Sequence, residues 1–180
     1  ESSVSFLDTP KTTAATIEWN TLHSMVKDKN WSGLDSSLNI ALREDQYPKE
    51  QIYAALGCIH LHNHRFFKAQ QMLQKALIYS PKQSEIHYLL GIISHKQQEI
   101  TDAKIHLERA VEFDSSFWPA QFLLGQYAKK EGQTALKNRH YRSVQRNINQ
   151  EFSAFFQNIF AHLVESVHRD KDTVLYLLSQ

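Results

Sequence analysis

Three of the chain's five glycines, Gly57, Gly91 and Gly125, stand 34 residues apart, each directly after a leucine and each inside a run of good helix formers. A glycine in a helix interior costs about 1 kcal/mol relative to alanine, so its return at a fixed interval implies a contact that a side chain would block. Close approach of a second helix is such a contact. The residues that follow fit the other half of it. Ala69 and Ala76 after Gly57, and Ala103 and Ala110 after Gly91, are small where a partner helix would cross, with Leu73 and Leu107 between them. Pro81 falls where the first of these units should stop, because proline lacks the amide proton and clashes with the preceding turn. The spacing predicts an all-α chain of helix hairpins repeated end to end.

On these residues the chain resembles the tetratricopeptide repeat (TPR) family, whose 34-residue unit is a pair of antiparallel helices. Tyr53, Leu56, Gly57, His60, Ala69, Leu73, Ala76 and Pro81 carry the match over 50–83, and His87, Leu90, Gly91, Ser94, Ala103, Leu107 and Ala110 over 84–117. A degenerate unit precedes them over 16–46, with Trp19 and Leu22 in place, His23 where glycine is expected, and a one-residue shift near Pro48. A partly degenerate unit follows over 118–148. Its first helix is regular, but Lys137 occupies the place of a small crossing residue. The segment from Phe117 to Gly125, followed by Arg139 to Val144, is similar to the repeats appended to some bacterial chemotaxis receptor methyltransferases. The resemblance implies an α-α superhelix of hairpins, with the repeats together spanning 14–148.

The two ends read differently. Residues 1–13 are rich in serine and threonine and read as a flexible lead-in or linker; a start at Glu1 fits a processed or excised piece. A solenoid exposes an apolar flank at its last unit, and 149–180 offers a cover. Phe152, Phe155, Phe156, Ile159, Phe160 and Leu163 form a stripe at helical spacing, predicting a long capping helix from Asn149 to about His168 and a short helix from Thr173 to Leu178.

Little in the composition points to chemistry. Twenty lysines and arginines against 19 acids give a net charge of +1, which names no polyanionic partner such as nucleic acid. One cysteine, Cys58, rules out an internal disulfide and fits a reducing, cytoplasmic compartment. No apolar run reaches the 18 or so residues of a membrane span. His60, His62 and His64 are the most metal-like cluster, yet His60 holds a repeat core place and no acid or cysteine nearby completes a ligand set. His168-Arg169-Asp170 imitates a kinase catalytic loop without the glycine-rich loop or downstream asparagine. The expectation is a chain that is not an enzyme and needs no cofactor or metal.

The resemblance implies that the first helix of each unit lines a concave groove. Leu61 and His62 of one unit, Tyr88, Ile92, His95 and Lys96 of the next, and Phe122, Gln126, Lys129 and Lys130 of the third then face a partner. This surface has an apolar middle and a cationic margin, suited to a peptide with apolar anchors and an acidic flank. The leading functional expectation is a non-catalytic scaffold or adaptor in signalling that binds a partner peptide or helix. Two alternatives stand beside it: a regulatory or targeting segment of a larger signalling enzyme such as a chemotaxis methyltransferase, and self-association through Phe155, Phe156 and Phe160.

Overall fold

The computed structural model describes residues 24–25, 28–44, 47–152 and 171–179. All regular structure among them is helical: α1 Trp31–Glu44, α2 Lys49–His62, α3 Phe66–Tyr79, α4 Ser84–Lys96, α5 Ile100–Phe113, α6 Trp118–Lys130, α7 Thr134–Asn147 and α8 Lys171–Leu178. Helices α2 and α3, α4 and α5, and α6 and α7 form hairpins, and each hairpin packs on the next through α3 against α4 and α5 against α6. α1 packs on α2. The core accordingly runs along the stack from Leu34 and Leu38 to Leu124 and Tyr127.

The periodic glycines are where the two helices of a hairpin interlock. A Cβ on Gly57 would lie 2.7 Å from Cγ of Leu73, and one on Gly91 would lie 2.9 Å from Cγ of Leu107. Gly125 meets an aromatic instead, with Cδ1 of Tyr141 2.5 Å from the same point. Ala69, Ala76, Ala103 and Ala110 are fully buried alongside. Lys137, in the small-residue place of the third hairpin, is half-buried and holds its Nζ 5.9 Å from the centre of the Tyr141 ring. Its stem lies along the contact while the charge reaches outward over the ring.

The turns inside the hairpins have one design. No helix from α2 to α7 receives a side-chain cap at its N-terminus. The chain instead closes the preceding helix with a Schellman motif: Arg65 N donates to His60 O at 2.8 Å, Glu99 N to Ser94 O at 2.9 Å, and Gln133 N to Ala128 O at 2.8 Å. Asn30 N donates to Met25 O at 2.9 Å in the same manner one unit earlier. Each motif needs a residue at positive φ, supplied by Lys29, His64, Gln98 and Gly132. Only Gly132 adopts that conformation without steric cost. The interval is 34 residues for the last three and 35 for the first, which locates a one-residue offset between the first unit and the rest.

Beyond α7 the chain turns at Ile148 and Asn149 and runs without helix through Gln150 to Phe152. The capping helix expected from Asn149 thus does not begin there; Asn147 O accepts a turn hydrogen bond from Gln150 N at 2.9 Å instead. The rest of that expected helix, including Phe155, Phe156 and Phe160, lies outside the described residues, as do the lead-in over 1–13 and the opening of the degenerate unit. α8 supplies apolar cover for the last hairpin. Val174 is buried in one cluster with Trp118, Phe122, Tyr141, Val144 and Ile148, and Leu177 and Leu178 pack against it. Among the described residues no helix is long and apolar enough to cross a membrane.

Candidate binding face of the first helices

The first helices of the hairpins each end in basic residues: His60 and His62 on α2, His95 and Lys96 on α4, Lys129 and Lys130 on α6. A helix C-terminus carries partial negative charge, so cations are favoured in its last turn. Because the hairpins repeat in register, these ends form one edge, on which His62, His95, Lys96, Lys129 and Lys130 are exposed. Glu50 and Glu85 stand in the first turns of α2 and α4, at the opposite end. The face is therefore polarised across its width.

Between the two edges the floor is closed. Leu61, Tyr88, Ile92 and Phe122, expected as open apolar anchors, are only 6%, 1%, 3% and 7% exposed. Phe117 meets the Tyr88 ring edge-on at 5.4 Å, and Phe152 packs on both Phe117 at 5.7 Å and Trp118 at 5.9 Å. Phe122 stacks on Tyr141, with centroids 6.3 Å apart. Leu61, Tyr88 and Ile92 belong to the core that runs along the hairpins, whereas Phe122 is buried in the cluster that Val174 of α8 completes. Gln126 is half-buried, its Nε2 donating to the Tyr141 hydroxyl at 2.8 Å. His95 shares a 2.5 Å hydrogen bond with the Tyr127 hydroxyl, and the His62 ring sits 4.4 Å from that of Trp31.

Phe117, Trp118 and Phe152 were not among the expected lining, yet they wall a recess of about 70 Å³ together with Glu85, Asp114 and Glu151. The adjacent aromatics at the start of α6 were its one visible signal. Cys58 is buried, and burial pushes its thiol well up, which removes it as a nucleophile at neutral pH. Of the three clustered histidines, His60 is half-buried, His62 lies against Trp31 with the rings tilted by 46°, and His64 occupies the turn at φ 57°. Among the described residues no group of three metal-ligating side chains comes together.

Four histidines lie in poorly hydrated places. His87 Nε2 donates to the Pro81 carbonyl at 3.0 Å, and one unit on Gln121 Nε2 donates to Ser115 O at 3.1 Å, so imidazole and amide do the same job of tying a helix to the preceding turn. His106 lies 6.1 Å from His87, whereas His140 contacts Gln121 Oε1 at 2.6 Å. Burial holds His60, His87, His106 and His140 below the usual imidazole range. On His87 the hydrogen bond to Pro81 opposes burial, and Arg109 and Glu112 act in opposite senses; on His106 the neighbouring His87 and then Arg109 add to the lowering, with Asp102 opposing. The unfolded chain therefore binds more protons than the folded one between the lowered values and about 6.5, and stability rises with pH through that window. The melting temperature should be higher at pH 7.5 than at pH 5.5. The difference should narrow when His87→Gln and His106→Met install the residues that neighbouring units carry at those places, a comparison that thermal melts by circular dichroism would read.

No protein-family model and no curated protein matches the chain. Solved structures do. Two crystal structures of MamA align over 87% and 91% of this chain and 89% and 88% of their own, with TM-scores of 0.58 and 0.60 at 18% and 17% identity. The crystal structure of YrrB, described as a TPR protein with an unusual peptide-binding site, aligns over 88% of this chain and 81% of its own, with a TM-score of 0.58 at 20% identity. The fold is that of a TPR solenoid. At these identities the likeness speaks for the TPR architecture alone. It is the architecture that sets the exposed basic ends of α2, α4 and α6 side by side.

Proposed function

We propose that this TPR solenoid is a protein-interaction module that holds a peptide or helix of a partner protein against its first-helix face, without bond chemistry. The observation that carries the reading is the in-register edge of His62, His95, Lys96, Lys129 and Lys130, all exposed above a rigid apolar floor. Leu61, Tyr88, Ile92 and Phe122 set the shape of that floor, and Gln126 spans floor and rim. A partner segment with an acidic flank fits the edge, because several cations placed in register attract a line of carboxylates more than scattered ones do. The peptide-binding description of YrrB supports the same class of ligand. A role as an adaptor in cytoplasmic signalling is the setting this reading fits.

Selection of a random peptide library on the immobilised chain tests it. Enriched sequences should carry a run of Asp or Glu, and Lys96→Glu with Lys129→Glu and Lys130→Glu should cut their retention roughly tenfold while helicity stays unchanged. No enrichment, or retention that the triple variant leaves intact, would reject this face.

A further inference from the structure

The outer faces of the second helices carry a pattern that peptide binding does not use. Three places, related by the repeat and spaced as one helical stripe, read Gln71, Gln74 and Ile78 on α3, Ile105, Glu108 and Glu112 on α5, and Arg139, Arg142 and Arg146 on α7. All nine side chains are exposed. An acidic row therefore runs beside a basic row, one hairpin apart, on helices that point the same way. Arg109, also exposed, stands one turn beyond His106 on α5, on the side toward His87, whose imidazole burial holds down and on which Arg109 and Glu112 act in opposite senses. Among the described residues the ion pair is Lys104 with Glu131 at 2.9 Å; the five row charges take no such partner. Between the rows lies a cleft of about 220 Å³ with Val111 and Leu124 in its floor and Leu136, 37% exposed, on its wall.

We propose that this α5–α7 face is the contact surface for a second copy of the same chain. A two-fold axis lying between the helices and along them sets α5 of each copy against α7 of the other. Glu108 then faces Arg142 and Glu112 faces Arg146, twice over, because these residues occupy the same places in their units. The axis runs over the cleft, where Leu136 and Ile105 bring apolar surface to the seam. A polyanion or an anionic lipid surface drawn to the arginine row would meet the glutamate row beside it. Only a partner carrying both rows in reversed order satisfies both, and the chain is itself such a partner. Contacts made by exposed charges are screened by salt, so the pairing weakens as ionic strength rises.

Sedimentation velocity over a hundredfold range of concentration, at about 10 mM and about 500 mM salt, is the test. The native chain should approach twice its monomer mass with concentration at low salt and remain smaller at high salt. Glu108→Arg and Arg142→Glu should each weaken association roughly tenfold, since each sets like charges face to face, and the chain carrying both should recover to within about threefold of native. Glu112→Arg with Arg146→Glu repeats the cycle at exposed positions one turn away, with circular dichroism reporting helicity. A monomer at every low-salt concentration, a dimer indifferent to both single reversals, or a double reversal no better than the singles would overturn the proposal.

Discussion

Leu107→Ala is expected to lower stability by about 2–5 kcal/mol, and part of that loss should return when Gly91 is replaced by alanine in the same chain. Leu107 is completely buried, and its Cγ and Cδ2 lie 2.9 and 3.0 Å from the point where a Cβ on residue 91 would stand. Gly91→Ala alone gains about 1 kcal/mol of helix propensity. It also forces the leucine out of place, at about 1–3 kcal/mol. Together the two changes exchange one filled space for another, so the double variant should be more stable than the sum predicts by about 1–2 kcal/mol. Urea denaturation of the four chains, followed by circular dichroism, measures that coupling. Additive losses would mean that the glycine is not there for the leucine. The same cycle at Gly125 and Tyr141 should couple more strongly, because a ring at 2.5 Å has fewer ways to move than an isobutyl group.

That interlock was legible because both partners repeat. Glycine, alanine and leucine recur at fixed places in 50–83 and 84–117, and a pattern repeated in chemistry and in interval leaves few folds to consider. The turns were only partly legible. Gly132 announces positive φ by its identity, but Lys29, His64 and Gln98 adopt it under compulsion from the hydrogen bonds around them, and nothing in a lysine, histidine or glutamine advertises that. The basic edge could be read by aligning the units, since Lys96 and Lys130 share one place and His95 and Lys129 another. The state of the floor could not. Phe122 has the same local sequence whether it is open or covered; what buries it is the cluster that Val174 completes, and Phe152 covers Phe117 and Trp118 beside it, packing from beyond α7 that leaves no periodic trace. The opposed charge rows became visible only once α5 and α7 were known to lie side by side and point the same way.

The closed floor gives the second large expectation. Phe122→Ala should cost about 3–5 kcal/mol, the range for deleting a buried aromatic. The damage should stay near its origin, because each unit of a solenoid touches only its neighbours. Phe122 stacks on Tyr141 and shares a buried cluster with Val174, so the amides of α8 and the end of α7 should exchange hydrogen faster, while those of α2 and α3 keep their protection. Hydrogen exchange read by mass spectrometry resolves the two regions. An exposed anchor would behave otherwise: its truncation stays within about 0.5 kcal/mol and leaves distant amides unchanged. The experiment therefore separates a phenylalanine that binds a partner directly from one that holds the surface in shape, and it decides which variants are fair probes of binding. If α8 loosens as expected, loss of a ligand in Phe122→Ala would report a collapsed platform, and only substitutions at the exposed lysines would report the contact itself.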